Sequence, residues 1–330
     1  LYMKAVYIKE FGGAEGLEVR DIAEPTAPTG NEILVRVRAA GLNRADLLQR
    51  RGLYPPPEGY DARIPGLEFA GEVAAVGDAV AELKIGDRVF GITAGEAQAE
   101  FLLTDERLLT HIPAKLSITE AAAVPEAYVT AHDAIFTLGE LKANESLLIH
   151  AVGSGVGLAA LQLAKAKGAF VIGSSRTAEK LDRCNEFGLD AAIVTGDTVD
   201  FANAVKEATN GKGVDVILDL VGAAYFQQNL ASLALKGRLI LVGLTSGSTA
   251  EFNLSAALQK RLRIIGTTLR GRTTEEKAEA IKKFAFEVVP LLESGKITPN
   301  LDRVFPVEDA VAAYKYLESN MSFGKVVLEF

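Results

Sequence analysis

Gly153, Gly155 and Gly157 punctuate the stretch from Leu148 to Gly168, LIHAVGSGVGLAALQLAKAKG. An apolar run precedes them and an apolar-periodic run follows, so they fill a strand-to-helix junction. Glycines there let backbone N–H groups approach a bulky charged group, and the helix N-terminus adds partial positive charge. That combination suits a pyrophosphate, and hence a bound dinucleotide. A strict G-x-G-x-x-G would need glycine where Leu158 stands, so the spacing alone leaves an ordinary tight turn open. The strand before and the helix after favour the dinucleotide. On that helix Val156, Ala159, Ala160 and Leu163 form an apolar stripe, while Gln162, Lys165 and Lys167 are expected to face away.

The next strand decides which dinucleotide. About 20 residues beyond the glycines, an NAD site places an acid on the ribose 2′-hydroxyl. Here AFVIG runs into SSRTAEK, with Ser174, Ser175 and Arg176 at that place and Lys180 one turn later. A carboxylate would repel a 2′-phosphate, whereas hydroxyls and cations hold one. The alternative is a solvated helix start capped by Ser or Thr. The expected cofactor is NADPH.

These turns need a scaffold. A chain of 330 residues is long for one core, so two domains are expected. The first third is β-rich: KAVYI, EILVRVRAAGL and FAGEVAAVG carry β-branched and aromatic residues, separated by loops such as EPTAPTGNE and GLYPPPEGYD. From about Ser117 the rhythm changes. SITEAAAVPEAYVTAHDAIFTL is helical in composition and interrupted by Pro125. Short apolar runs then alternate with amphipathic segments: SLLIHAV, AFVIGS, AAIVTG, VDVILDLVG, GRLILVG and LRIIGTTL. Runs this apolar suit a parallel sheet buried on both faces, and the alternation implies a doubly wound α/β domain. TEEKAEAIKKFAFEVVPLLESG should be helical and GKVVLEF a terminal strand. The expectation is a β-rich domain over residues 1–125 and 266–330, interrupted by an α/β domain over 126–265.

Composition narrows the function classes. Hydrophobic residues make up 48%, which favours a globular protein over a disordered one. Thirty-five Lys and Arg against 43 Asp and Glu give a net charge of −8, so nucleic acid is not an expected partner. No apolar run reaches 18 residues, and no membrane association is expected. LYMKAVYIKE lacks a secretory pattern, and Met3 is the expected natural start. A single cysteine, Cys184, excludes an intramolecular disulfide framework and any multi-cysteine zinc site. A cytoplasmic location is therefore expected. His111, His132 and His150 are widely separated and make no helical metal motif.

The motifs GLNRADLLQRRGLYPPP, IPGLEFAGEVAAVG, KIGDRVFG, AAAVPEAYVTAHDAI, GSGVGLAALQLAKAKGA, DLVG and GKVVLEF extend over nearly the whole chain. Together they resemble the zinc-free quinone oxidoreductases of the medium-chain dehydrogenase/reductase superfamily, in particular the tumour-suppressor-inducible branch. The resemblance implies a GroES-like catalytic domain, a Rossmann domain and a cleft between them. It implies that Thr130, Gly222, Gly243, Leu244 and Ser322 line the nicotinamide half and that Lys180 is the phosphate lysine. Arg176 replaces a residue that is often glycine in relatives. Zinc-dependent relatives carry ligands where this chain has Asn43, Leu67 and Glu126, so no catalytic zinc is expected.

Without a metal to stabilise an alkoxide, the acceptor must spread the arriving charge itself. Quinones do so, and the expected reaction is NADPH-dependent quinone reduction. Reduction of enones or enoyl thioesters is the alternative enzyme reading. A low-turnover NADPH-binding structural or RNA-binding protein is a further one. Tyr54 is a candidate to stack on a ring or donate to the reduced oxygen, against a loop-packing role. Asn43 is a candidate to bind the substrate carbonyl or the ribose, against a turn role. Asp46 is a candidate to accept from a ligand hydroxyl or relay a proton, against a helix-start charge paired with Arg44 or Arg50. Gln49 follows on the same helical face. His150 is expected to be structural and Cys184 unreactive; Arg270 and Arg272 could approach a cofactor phosphate or a partner subunit, and neither role is favoured. A homodimer is expected along the edge formed by GRLILVG and LRIIGTTL.

Overall fold

The computed structural model describes residues 1–196 and 200–330. The chain opens with β1 (Tyr2–Ile8), β2 (Leu17–Ala23), β3 (Glu32–Gly41), the short helix α1 (Arg44–Arg50), β4 (Glu68–Val76), β5 (Arg88–Ile92), β6 (Phe101–Asp105) and β7 (Leu109–His111). Helices α2 (Ile118–Ala121) and α3 (Pro125–His132) follow. Strand β8 (Ser146–Ile149) then leads to α4 (Gly155–Lys167), β9 (Phe170–Ser175), α5 (Ala178–Cys184), β10 (Ala191–Val194), α6 (Ala202–Ala208), β11 (Val214–Asp219), α7 (Phe226–Ser232), β12 (Leu233–Leu241), α8 (Leu254–Lys260) and β13 (Arg263–Gly266). The chain ends with α9 (Thr274–Glu287), α10 (Val289–Ser294), β14 (Leu301–Pro306), α11 (Ala310–Glu318) and β15 (Lys325–Glu329). Two compact units result: residues 1–129 with 269–330, and residues 130–268. The second segment of the first unit therefore starts after Thr268, and Glu126 to Val129 belong to that unit rather than to the α/β one.

The first unit is built on a sheet ordered β14-β15-β3-β4-β5-β7, with β6 also pairing with β3, and on the separate ribbon of β1 and β2. Its central strand shows why alternation matters. Ile33, Val35 and Val37 of β3 are buried, while Arg36, between Val35 and Val37, and Arg38, just after Val37, are exposed. Arg38 crosses to Glu72 of β4 at 3.0 Å. The terminal strand β15 pairs antiparallel with β3, which brings the end of the chain beside the entry to α1.

The second unit carries six parallel strands in the order β10-β9-β8-β11-β12-β13. Numbered by their sequence within the unit this is 3-2-1-4-5-6, the doubly wound Rossmann order. All six apolar runs of the sequence appear here as strands. Leu147, Leu148 and Ile149 of β8 and Val216, Ile217 and Leu218 of β11 are all fully buried, as a sheet covered on both faces requires.

One local expectation needs correcting. Gln162 does not face away: it is buried along with every residue from Gly157 to Ala164. Helix α4 is covered on nearly all sides, so its polar residue finds a place inside. Cys184 is buried, and burial pushes its thiol up to about 12, which keeps it protonated and unreactive. Among the described residues, no helix is long and apolar enough to cross a membrane.

Candidate functional site

In the second unit the candidate residues gather at the carboxyl ends of the strands. The turn from Ala151 to Ser154 follows β8, Ser174 and Ser175 end β9, Gly222 follows β11, and Gly243 and Leu244 follow β12. Strand order reverses between β8 and β11, and ligands of open α/β sheets bind outside such a switch point. The turn is tightly built. Ala151 adopts φ 50°, a left-handed conformation uncommon outside glycine. Ser154 caps α4, its side chain accepting from Gly157 N at 3.1 Å. A Cβ on Gly157 would lie 2.6 Å from the carbonyl oxygens of Ala151 and Val152, so only glycine lets helix and turn approach this closely. Gly153 is buried, whereas Gly155 and Val156 are half-buried at the first turn of α4. These features fit a dinucleotide's pyrophosphate.

Beneath the turn runs a buried hydrogen-bonded chain. His150 and Asn229 are fully buried, and Ser174 nearly so. His150 Nδ1 lies 2.7 Å from Ser174 Oγ, and Nε2 lies 2.6 Å from Asn229 Oδ1. Asn229 Nδ2 donates to Asp219 Oδ2 at 3.0 Å, and Asp219 Oδ1 accepts from Val221 N and Gly222 N at 2.8 and 2.9 Å. The amide nitrogen faces the carboxylate, so Asn229 presents its oxygen to Nε2, which must donate. Burial lowers the affinity of His150 for a second proton, so the ring is neutral and Nδ1 accepts from the Ser174 hydroxyl.

This corrects the expectation for Ser174. Its proton is committed to His150, and the side chain is buried, so it aligns the end of β9 and does not donate to a phosphate. Ser175 is also buried, and its Oγ accepts from Thr177 N at 3.4 Å. Arg176 is exposed and Lys180 half-buried, one turn into α5. Asp219 O also accepts from Gly243 N at 3.1 Å, so one residue holds the loops after β11 and β12 together. Leu244 is 55% exposed. Thr130 is half-buried near the end of α3, and Ser322 is a buried residue of the first unit between α11 and β15.

The first unit holds a charged cluster at the entry to α1. Glu68 of β4 is fully buried and meets Lys325 Nζ of β15 at 2.5 Å. Lys325 also donates to Leu42 O and Asn43 Oδ1, both at 2.7 Å. Asn43 Nδ2 donates to Glu68 Oε1 at 2.8 Å, and Glu126 N donates to Glu68 Oε2 at 2.9 Å. A Cβ on Gly41 would lie 2.4 Å from Glu68 Oε1, so this carboxylate fits because residue 41 is glycine. A buried ion pair needs its remaining donors and acceptors satisfied, and here they are.

The cluster revises two candidates. The Asn43 amide is bonded at both ends inside the unit, completing the Lys325–Glu68 pair. Asp46 is fully buried and pairs with neither Arg44 nor Arg50. Its oxygens accept from Asn43 N at 2.7 Å and Gly66 N at 3.1 Å. Burial raises its carboxyl to about 6 against these bonds. Both oxygens are taken, so Asp46 positions the α1 entry and is not placed to meet a ligand hydroxyl. Arg50 instead meets Glu318 at 3.1 Å, and Arg44 reaches Asn320.

Tyr54 keeps partial exposure. Its loop is fastened by Arg270, which is buried and donates to Tyr54 O at 2.8 Å, Ala94 O at 2.7 Å and Gln49 Oε1 at 2.5 Å. The guanidinium lies 5.0 Å from the Tyr54 ring centre. Arg270 therefore serves neither a cofactor phosphate nor a partner. Sequence reasoning passed over Glu68 and Lys325; a lysine heading the apolar strand KVVLE was the available signal.

Residues 29–134 match the alcohol dehydrogenase GroES-like domain family, and residues 155–285 match the zinc-binding dehydrogenase family. A human quinone oxidoreductase is 33% identical over 331 residues, covering 99% of this chain and 97% of its own. The Escherichia coli quinone oxidoreductase, solved in complex with NADPH, superposes with TM-score 0.89 at 32% identity, covering 99% of this chain and 100% of its own. The JamJ enoyl reductase reaches the same TM-score at 28% identity, covering 99% of both chains. A one-third identity sustained from end to end, with both halves of the architecture matched, means that the chain belongs to the quinone oxidoreductases of the medium-chain dehydrogenase/reductase superfamily.

Proposed function

We propose that this protein is an NADPH-dependent, zinc-independent reductase whose acceptors are quinones. The observation that carries the reading is the end of β9. A basic pair, Arg176 and Lys180, follows it, and no carboxylate occupies the place that would repel a 2′-phosphate. The NADPH bound to the Escherichia coli relative supports it. In this reading the turn at Gly153, Ser154, Gly155 and Val156 holds the pyrophosphate, and Ser175, Arg176 and Lys180 surround the 2′-phosphate. Thr130, Gly222, Gly243, Leu244 and Ser322 border the nicotinamide half. When bound, the reduced nicotinamide supplies a hydride.

Zinc independence rests on the cluster at α1. Asn43, Leu67 and Glu126 stand where zinc-dependent relatives carry ligands, and the ammonium of Lys325 already balances Glu68. A second cation beside Lys325 would meet like charge. The acceptor must then delocalise the incoming electron pair, which favours quinones. The likeness to an enoyl reductase supports activated double bonds as the second reading.

The test is NADPH consumption with a simple para-quinone and with an enone, in the native protein and in Tyr54→Phe. Quinone turnover should dominate, with Tyr54→Phe acting mainly on KM. Should an enone be the better acceptor, with Tyr54→Phe lowering kcat, the second reading holds. NADPH binding without turnover on either would leave a binding protein.

A homodimer is part of the proposal. Strand β13 is the last strand of its sheet, and Ile264 and Ile265 on it are only half-buried. Pairing with a second copy removes such an edge. Sedimentation equilibrium should give twice the chain mass, and a monomer would contradict it.

A further inference from the structure

The loops that leave β11 and β12 are sewn to each other along their length. Val242 N and Gly243 N donate to Asp219 O at 2.9 and 3.1 Å. Ser246 N and Ser246 Oγ both donate to Val221 O at 2.8 Å. In return Ser246 Oγ accepts from Ala224 N at 3.0 Å, and Gly247 O accepts from Ala223 N at 3.1 Å. The buried Asp219 carboxylate fixes the start of the first loop through Val221 N and Gly222 N. Gly222 lets the loops touch. Its φ is 93°, and a Cβ there would lie 2.9 Å from Gly247 O and 3.0 Å from Leu244 Cα. Ser246 itself is exposed, so its bonds serve the loops and not the core.

This clamp lies over one half of the sheet. A Rossmann sheet is two mononucleotide-binding halves that meet at the switch point. Strands β8, β9 and β10 form the half that carries the glycine turn and, after β9, Arg176 and Lys180. Strands β11, β12 and β13 form the other half, and the clamp stands at its carboxyl end. His150 N donates to Leu218 O at 3.1 Å, which ties the end of β8 to the end of β11. The adenosine end of a dinucleotide is taken by the first half, so the nicotinamide ribose falls to the second.

We propose that Asp219 and Ser246 are positioning residues for the nicotinamide half of NADPH. They touch each other's loop, and their effect on the coenzyme passes through Gly222, Gly243 and Leu244. This rests on the coenzyme placement above. A loop already held in its bound shape costs little to order when the ligand arrives. Without the clamp the coenzyme has to order both loops itself, and affinity falls on that side only.

The test is calorimetric titration of the full-length protein with NADPH and with adenosine 2′,5′-bisphosphate. The bisphosphate carries the 2′-phosphate and lacks the nicotinamide ribose, so it reports the first half alone. Ser246→Ala should raise the Kd for NADPH about tenfold and move that for the bisphosphate less than about twofold. Ser246→Thr keeps the hydroxyl and should bring the Kd for NADPH back to within about threefold of the native value. Asp219→Ala should raise it about tenfold or more. If that variant does not fold, the two Ser246 variants decide alone, because an exposed hydroxyl is lost without disturbing the core. A native Kd for NADPH in Ser246→Ala, or equal weakening of both ligands, would overturn the proposal and leave the coenzyme reading standing. No binding of NADPH by the native protein would overturn both.

Discussion

Replacing Arg176 and Lys180 together by alanine is expected to raise the Kd for NADPH about 100-fold, tenfold for each charge-assisted contact, while moving the Kd for NADH less than about threefold. Isothermal titration calorimetry with the two coenzymes measures both. The two cations follow β9, where the second strand of a dinucleotide fold meets the adenosine ribose. NADH lacks the 2′-phosphate, so a contact to that group disappears from one titration only. Ser174→Ala is the control. Its hydroxyl donates to His150 and faces the interior, so the NADPH-to-NADH preference should not change. Stability should fall by about 1–3 kcal/mol, because His150 Nδ1 is left buried without a donor. If the double variant weakened NADH equally, the cations would be serving the pyrophosphate or the fold. If Ser174→Ala shifted the preference, the His150 chain would have to run in the opposite direction.

The contrast between Ser174 and Arg176 shows where sequence reading works. Hydrophobic pattern located the strands, because a parallel sheet covered on both faces demands uninterrupted apolar runs such as LLI and VIL. It also located the glycine turn, whose chemistry is local. It could not assign Ser174 inward and Arg176 outward, because neither the partner ring of His150 nor Asn229 is near in sequence. The cluster at α1 was further out of reach. Asn43 and Asp46 were visible as polar residues opening a helix. Lys325, the partner of the Asn43 side chain, lies 282 residues beyond it, brought there only because β15 pairs with β3. Residue types on a short helix suggest ligand contacts; long-range register decides that Asn43 is spent on a buried ion pair. Glu126 shows the same limit in reverse. Its carboxyl is raised first by burial and then by Glu68, a neighbour through β4 and not along the chain.

Lys325→Met is expected to destabilise the first unit by about 3–5 kcal/mol, read as a lower urea midpoint at unchanged m. Removing the ammonium strands the fully buried Glu68 carboxylate with two donors, Asn43 Nδ2 and Glu126 N, and no counter-charge. It also leaves Leu42 O and Asn43 Oδ1 without their donor. Glu68→Gln should cost less, because an amide oxygen still accepts from Lys325 and only the charge is lost. Lys325→Met with Glu68→Leu should recover part of the loss, since an apolar pair of similar volume avoids the desolvation that the ion pair has to offset. Recovery should be incomplete, because Glu126 N and the Asn43 amide then lose Glu68 as acceptor. A positive coupling between the two sites in this cycle would separate the ion pair from the simple loss of packing. If Lys325→Met unfolded at the native midpoint, Glu68 would have to be uncharged in the native protein. Burial and Asp46 would then be left to raise the Glu126 carboxyl.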